Sequence, residues 1–161
     1  MNGKYVAAAV LAVALPLMTS AFAAPTSPPV GTLTMPAPFG SSQVLAWSWG
    51  ASNSSSAQQG AGSGVGKANI QDLSITRYAD GQSPLIFKAL ARGEHLPNVV
   101  LVDGTTTVTL RQVLIVSYST GNSSDVKNTT RIENVTFNFA EISMTVNGVT
   151  TCFSISTSTS C

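Results

Sequence analysis

Charged side chains are scarce in this sequence. Only 9% of its 161 residues are Asp, Glu, Lys or Arg, and the formal net charge at neutral pH is +1. Affinity for phosphate depends on a cationic surplus, so this composition argues against a nucleic-acid partner. Net charge also keeps copies of a protein apart in solution. A chain with so little charge is therefore expected to associate with itself.

Catalytic residue types are equally sparse. His95 is the single histidine, in a turn before a predicted strand, and no G-x-S-x-G motif accompanies the many serines. We expect His95 to bond to the backbone there, and a secreted hydrolase is the least favoured class of function. The sequence predicts no enzyme, no catalytic residues, no cofactor and no metal site. The carboxylates are dispersed, and only folding could pair them for glycoside hydrolysis: Asp72, Asp80, Glu94, Asp103, Glu133 and Glu141.

There are only two cysteines, Cys152 and Cys161, and they enclose a stretch rich in Ser and Thr. An even number of cysteines in an exported chain favours a disulfide. This one would close a loop of ten residues, counted inclusively, and stabilise the fold by at most about 3 kcal/mol. The alternatives are a metal site or a redox pair, but both lack C-x-x-C spacing and a nearby histidine.

A long hydrophobic run occurs only at the amino terminus. Met1–Lys4 is basic, Tyr5–Met18 is apolar, and Ala21-Phe22-Ala23 has the form of a cleavage site. This pattern predicts a secretory signal peptide over residues 1–23, removed on export to the periplasm or beyond the cell. The alternative, a membrane anchor, is disfavoured because the run is short and contains Pro16. Residues 24–161 are expected to form a single domain with no membrane span.

The rest of the sequence reads as strands with one helix. Ser83 as N-cap, Pro84 in the first turn and Gly93 after the last turn predict a helix. In the last predicted strand the apolar residues change from odd-numbered to even-numbered positions, which is a shift of apolar phase from one face of the strand to the other. Either both faces are covered there or a bulge lies near Ala140. The pattern favours a mainly β, antiparallel barrel or sandwich. The predicted strands are Gly31–Met35, Gln43–Trp49, Ala68–Tyr78, Asn98–Val102, Thr105–Ser117 and Asn134–Val146.

Two features near the second strand invite a functional interpretation. Trp47 and Trp49 alternate with Val44 and Ala46, and could form a stacking platform for a ligand, although core or interface anchors are favoured. The segment 51–66 that follows is rich in Ser and Gly and ends before a lysine. A phosphate-binding loop would need Ser or Thr after that lysine and then a helix, whereas Ala and a strand pattern follow.

Four segments together resemble the Hcp (haemolysin-coregulated protein) family of type VI secretion. They are Val44-Leu-Ala-Trp-Ser-Trp-Gly50 with Gly66-Lys-Ala-Asn-Ile-Gln-Asp-Leu-Ser-Ile-Thr-Arg-Tyr78, the helix Ser83–Pro97 with its S-P-x-x-x-K-A-x-A-x-G-x-H-x-P pattern, and Asn134-Val-Thr-Phe-Asn-Phe-Ala140. The resemblance implies a small antiparallel β-barrel of two sheets with one flanking helix.

The same resemblance implies a function. Hcp proteins form hexameric rings that stack into a tube and hold small effector proteins, so the expected partners are other copies of this chain and secreted effectors. The Ser/Gly-rich loop corresponds to an arm that reaches neighbouring rings. A second interpretation stays open, in which a monomeric exported binding module reuses the barrel. The expected ring-stacking residues are Ser54, Ser55, Gln58, Gly60, Gly62 and Gly64.

Overall fold

The computed structural model describes residues 28–53, 68–121 and 131–161. The predicted signal peptide lies outside these ranges, as do the six expected ring-stacking residues. Among the residues described, no helix combines the length and the apolar character needed to cross a membrane.

The described chain forms ten strands and one helix. In chain order they are β1 Gly31–Met35, β2 Gly40–Ser48, β3 Ala51–Asn53, β4 Ala68–Ile70, β5 Leu73–Tyr78, α1 Ser83–Arg92, β6 His95–Asp103, β7 Thr106–Gly121, β8 Ile132–Asn138, β9 Glu141–Val146 and β10 Val149–Ser154.

Six strands close into an antiparallel barrel. The hydrogen-bonded order β7-β6-β1-β2-β5-β8 returns to its start because β8 also pairs with β7. Strands β9 and β10 extend the sheet from β7, and β3 pairs with β4 as a separate two-stranded ribbon. The expected fold, a small antiparallel β-barrel with one flanking helix, is confirmed.

The long strand β7 pairs with three neighbouring strands. One edge pairs with β6, while the other edge pairs first with β9 and then with β8. The chain passes from β8 to β9 through a corner at Phe139 and Ala140, where the Ala140 N–H donates to the Arg111 carbonyl at 3.1 Å. This corner explains the shift of apolar phase. The prediction of one continuous strand over Asn134–Val146 was wrong, because two strands lie end to end there.

A bulge in β2 changes which residues face the core. Val44 is fully buried, although the sequence pattern put it on the face opposite Trp47 and Trp49. The pairing of β2 with β5 shifts between Val44 and Ala46, and this extra residue reverses the alternation. Side chains on both sides of the bulge therefore pack inward.

Helix α1 closes one side of the barrel with Ile86 and Ala89 buried and Leu85 half-buried. Gly93 ends it in the left-handed conformation, with φ at 61°, as the sequence predicts. The predicted N-cap was wrong by one residue, since Gln82 holds that position. The Ser83 hydroxyl instead accepts a hydrogen bond from the Asp80 N–H at 3.0 Å.

Side chains from every barrel strand and the helix fill a single core. Phe137 of β8 is fully buried, with Leu73 on one neighbouring strand and Ile115 on the other in register. Aromatic rings of this size leave a large cavity when they are removed, because a closed barrel collapses only partly.

We expect Phe137→Ala to lower the free energy of unfolding by about 3–5 kcal/mol, through lost burial and the cavity left behind. Urea unfolding followed by circular dichroism measures this. Val149→Ala is the matched control, because Val149 is 76% exposed and its loss should cost less than about 0.5 kcal/mol. Equal losses in the two variants would contradict the described core.

Candidate functional site

A short two-stranded ribbon, β3 and β4, flanks the Ser/Gly-rich segment. Ala51 pairs with Ile70 and Asn53 with Ala68, and the Gln71 N–H donates to the Gly50 carbonyl at 2.9 Å. All three residues of β3 are exposed. Ala68 begins a strand where a phosphate-binding loop would be followed by a helix, so the structure argues against phosphate binding at this position.

The two tryptophans pack against the barrel core. Both are half-buried, and the Trp47 indole N–H donates to Oδ2 of Asp103 at 2.8 Å. Trp49 contributes to a small apolar cavity of about 60 Å³ that Cys152 also lines. Because its indole N–H is internally satisfied and its ring is partly covered, Trp47 is poorly placed to stack on a ligand.

A buried ion pair inside the barrel was missed by the sequence analysis. Arg77 of β5 and Glu133 of β8 are direct cross-strand partners, both with 0% exposed side chains, and Nε of Arg77 lies 3.2 Å from Oε1 of Glu133. Each occupies an inward-facing position of its strand. Arg77 follows the buried Leu73 and Ile75 at every second position, and Glu133 precedes the buried Val135 by two residues. That alternation was the available signal, since it places a charge where an apolar residue is expected.

The pair is the centre of a larger polar cluster. Tyr118 donates its hydroxyl to Oε2 of Glu133 at 2.9 Å, and Arg77 also forms an ion pair with Asp80. Burial, and then the hydrogen bond to the Glu133 carboxylate and its charge, raise the pKa of the Tyr118 phenol. The phenol therefore remains a proton donor to Glu133 throughout the neutral range. Gln82 joins the cluster to α1 through Arg77 Nη1, at 3.4 Å.

An open groove of about 670 Å³ lies above this cluster, between the start of α1 and β7. Its walls are the rings of Phe87 and Tyr118, whose centroids are 6.2 Å apart, and Phe87 is 56% exposed. Asp80 and Arg131 also line it. The groove offers aromatic surface, and the carboxylate that lines it, that of Asp80, is already paired with Arg77.

The remaining candidate residues are spread over the surface. His95 is the first residue of β6 and is exposed, opposite Leu114 of β7 rather than in a turn. Asp72 accepts a hydrogen bond from the Asn138 amide at 2.8 Å, which leaves it in a structural role at the barrel rim.

Cys152 and Cys161 form the expected disulfide, with their Cα atoms 5.3 Å apart. Glu141 lies beside them, and the ligand atoms of the three residues fall within 4.8 Å of one another. Thiolate sulfur is what binds a metal, and both sulfurs here are bonded to each other. The geometry thus supports a covalent clip rather than a metal centre.

Comparison with protein families gives a match over residues 31–146 to the family described as type VI secretion system effector, Hcp. Protein hcp1 of Pseudomonas aeruginosa is 44% identical over 85 residues, covering 47% of this chain and 51% of that protein. The chain therefore matches about half the length of this curated relative.

Solved structures share the fold. A structure of a type six secretion system protein superposes with a TM-score of 0.73 at 18% identity, covering 82% of this chain and 99% of the other. Hcp1 from Salmonella typhimurium gives a TM-score of 0.66 at 22% identity, covering 81% and 98%. A type VI secretion system effector from Yersinia pestis gives 0.60 at 19% identity, covering 77% and 98%.

We expect Arg77→Met to lower the free energy of unfolding by about 3–5 kcal/mol, because it leaves the buried carboxyl group of Glu133 without its ion-pair partner. Adding Glu133→Leu to the same chain should restore most of that loss. Arg111→Met is the matched control: it breaks an ion pair with Glu141 in which the arginine is 65% exposed, worth at most about 1 kcal/mol. Equal losses for Arg77→Met and Arg111→Met in urea unfolding would contradict a structural role for the buried pair.

Proposed function

The chain belongs to the Hcp family of type VI secretion proteins, and from this premise we propose that six copies assemble into a ring. Such rings stack and hold small effector proteins in their lumen. The chain acts in this role as a structural protein and not as an enzyme.

The extent of the family match carries the proposal. The matched residues run from the first residue of β1 to the last residue of β9 and so include the whole barrel. Both tryptophans, the ribbon that bears the arm, and the Arg77–Glu133 pair lie within it. Strand β10 and the disulfide-closed tail lie outside the match.

The outer face of the sheet is suited to contact with other copies. Cores of protein interfaces are depleted in charged residues, whereas exposed sheets normally carry charge that discourages association. Two rows of residues cross six strands of the sheet, each residue paired in register with the next. None of the residues in these rows is charged. They are Thr150, Thr145, Thr107, Val102, Thr32 and Gln43, and then Cys152, Ser143, Thr109, Val100, Thr34 and Ser41.

The ribbon β3–β4 supports a role for the segment 51–66 in stacking. Ser and Gly side chains bury little apolar surface, so such a segment gains order mainly from a partner. Backbone pairing with a neighbouring ring would offset that ordering entropy. The ribbon pairs the residues on either side of the arm, Asn53 with Ala68.

Export through the predicted signal peptide is part of the proposal. The disulfide is the supporting feature, because such bonds persist in oxidising compartments and are rare in the cytosol. We therefore place the working protein in the periplasm or outside the cell, where it meets other copies and secreted effectors.

We expect light scattering on the chain from Ala24 onward to give six times the mass of one chain, with multiples of that mass as concentration rises. Deletion of residues 54–63 should keep the six-chain mass and remove the multiples, because a short turn can still join β3 to β4. Circular dichroism controls for folding of the deletion variant.

Two results would contradict this account in different ways. Multiples that persist in the deletion variant would overturn the role of the arm while leaving the ring. A single-chain mass for the full chain across micromolar concentrations would overturn the ring and favour a monomeric binding module.

A further inference from the structure

Strand β10 is the open edge of the sheet. In the strand order it stands at the end of the row β10-β9-β7, while the six barrel strands have neighbours on both sides. Within the part of the chain that the structure describes, β10 pairs along its length with β9, and its other side makes a single bridge, between Ser154 and Thr159. Its sequence, VTTCFS, carries no charge and no proline. Uncharged, β-branched edges of this kind readily accept another strand.

The hairpin geometry shows which backbone groups face outward. Asn147 and Gly148 form a two-residue turn with φ values of 50° and 81°, and Val146 pairs with Val149 across it. Backbone groups alternate in direction along an antiparallel strand, so those of Thr150 point the same way as those of Ser154. The Ser154 N–H donates outward to the Thr159 carbonyl at 2.8 Å.

The carboxyl-terminal tail lies along this edge. Ser154 and Thr159 form an antiparallel bridge, and stepping two residues away from it in each direction puts Cys152 opposite Cys161. The disulfide therefore joins two cross-strand partners. At the turn, the Ile155 N–H donates to the Ala140 carbonyl at 2.9 Å, and the Ile155 side chain packs on the core.

The tail has little besides the disulfide to hold its far end. Its other side-chain hydrogen bonds are internal and exposed, such as that between the Thr157 and Thr159 hydroxyls at 2.8 Å. Exposed hydroxyl pairs contribute little net stability, because water replaces them readily. Without the covalent bond, one backbone bridge remains to hold the six residues beyond Ile155 against their conformational entropy.

We propose that the Cys152–Cys161 disulfide is a redox switch that controls whether the β10 edge is covered. In the oxidised chain the tail occupies the edge as a short extra strand. In the reduced chain the tail leaves, and the exposed edges of two copies pair antiparallel through β10. The partner is a second copy because the edge already accepts an antiparallel segment of this same chain, and because its uncharged sequence is complementary to itself across a two-fold axis.

The reaction that reduces this disulfide and releases the tail is thiol–disulfide exchange with a dithiol. One thiolate of the dithiol attacks the sulfur of one cysteine. The other cysteine leaves as a thiolate, which takes a proton. The second thiol of the reagent then displaces the first protein sulfur. The protein gains two electrons and two protons as two thiols, and the reagent is oxidised to its own disulfide.

This inference does not rest on ring formation. The edge and its tail lie outside the family match, and the test reads the change in mass on reduction rather than the mass itself. It therefore applies whether the oxidised chain is a single chain or a ring.

The test compares the chain from Ala24 onward before and after dithiothreitol treatment. We expect reduction to increase amide hydrogen exchange in residues 156–161 at least tenfold and to raise the scattering mass at least twofold. Cys152→Ser with Cys161→Ser should show both properties without reductant. In reduced Thr150→Pro the tail should still open while the mass stays constant, because proline removes the outward N–H at the edge.

Three results would overturn the proposal. The first is unchanged exchange in the tail after reduction, which would mean that the disulfide does not hold it. The second is an opened tail with no gain in mass. The third is an equal gain in mass for reduced Thr150→Pro, which would place the association on another surface. Circular dichroism of each variant confirms that the barrel is folded.

Discussion

Closure of the barrel depends on β8, which pairs with β5 on one edge and with β7 on the other. The ion pair between Arg77 and Glu133 lies inside this seam, with the Tyr118 hydroxyl from β7 as a third member. Three adjacent strands are thus joined by side chains as well as by backbone. Through Asp80 and Gln82 the same cluster reaches the start of α1, so the barrel wall and its covering helix share one polar anchor. A buried pair of this kind costs desolvation energy, and it is tolerated where every member finds a partner.

The alternation of apolar residues was sufficient to predict most strands, and the capping pattern of Ser83, Pro84 and Gly93 was sufficient to predict the helix and its glycine C-cap. It was insufficient wherever the chain changed direction within a strand pattern. At Val44 an extra residue in β2 reversed the faces, and at Ala140 a corner separated β8 from β9. The first event has no local signature, because it depends on the register of β2 against β5. The shift of apolar phase indicated an irregularity near Ala140, but it did not show that the chain turns a corner there. The buried charges at positions 77 and 133 were missed for a related reason: the charges were seen as dispersed in sequence, whereas register pairs them directly.

The functional features lie partly inside and partly outside the family match. The barrel, the ribbon β3–β4 and the uncharged outer rows from β9 to β2 fall within residues 31–146, the extent of the Hcp family match. The disulfide-closed tail on β10 falls outside it. One set of features accounts for how copies would meet in a ring, and the other for how a remaining open edge is kept covered. A chain with so few charges needs both, because low charge favours wanted and unwanted contacts alike.

The central claim is that this barrel is a ring subunit. Negative-stain electron microscopy of the oxidised chain from Ala24 onward tests it most directly, since class averages show the symmetry of the assembly. The account predicts closed rings of six subunits around an open lumen. Single barrels without a common symmetry, at concentrations where the chain is folded and its disulfide is intact, would contradict it.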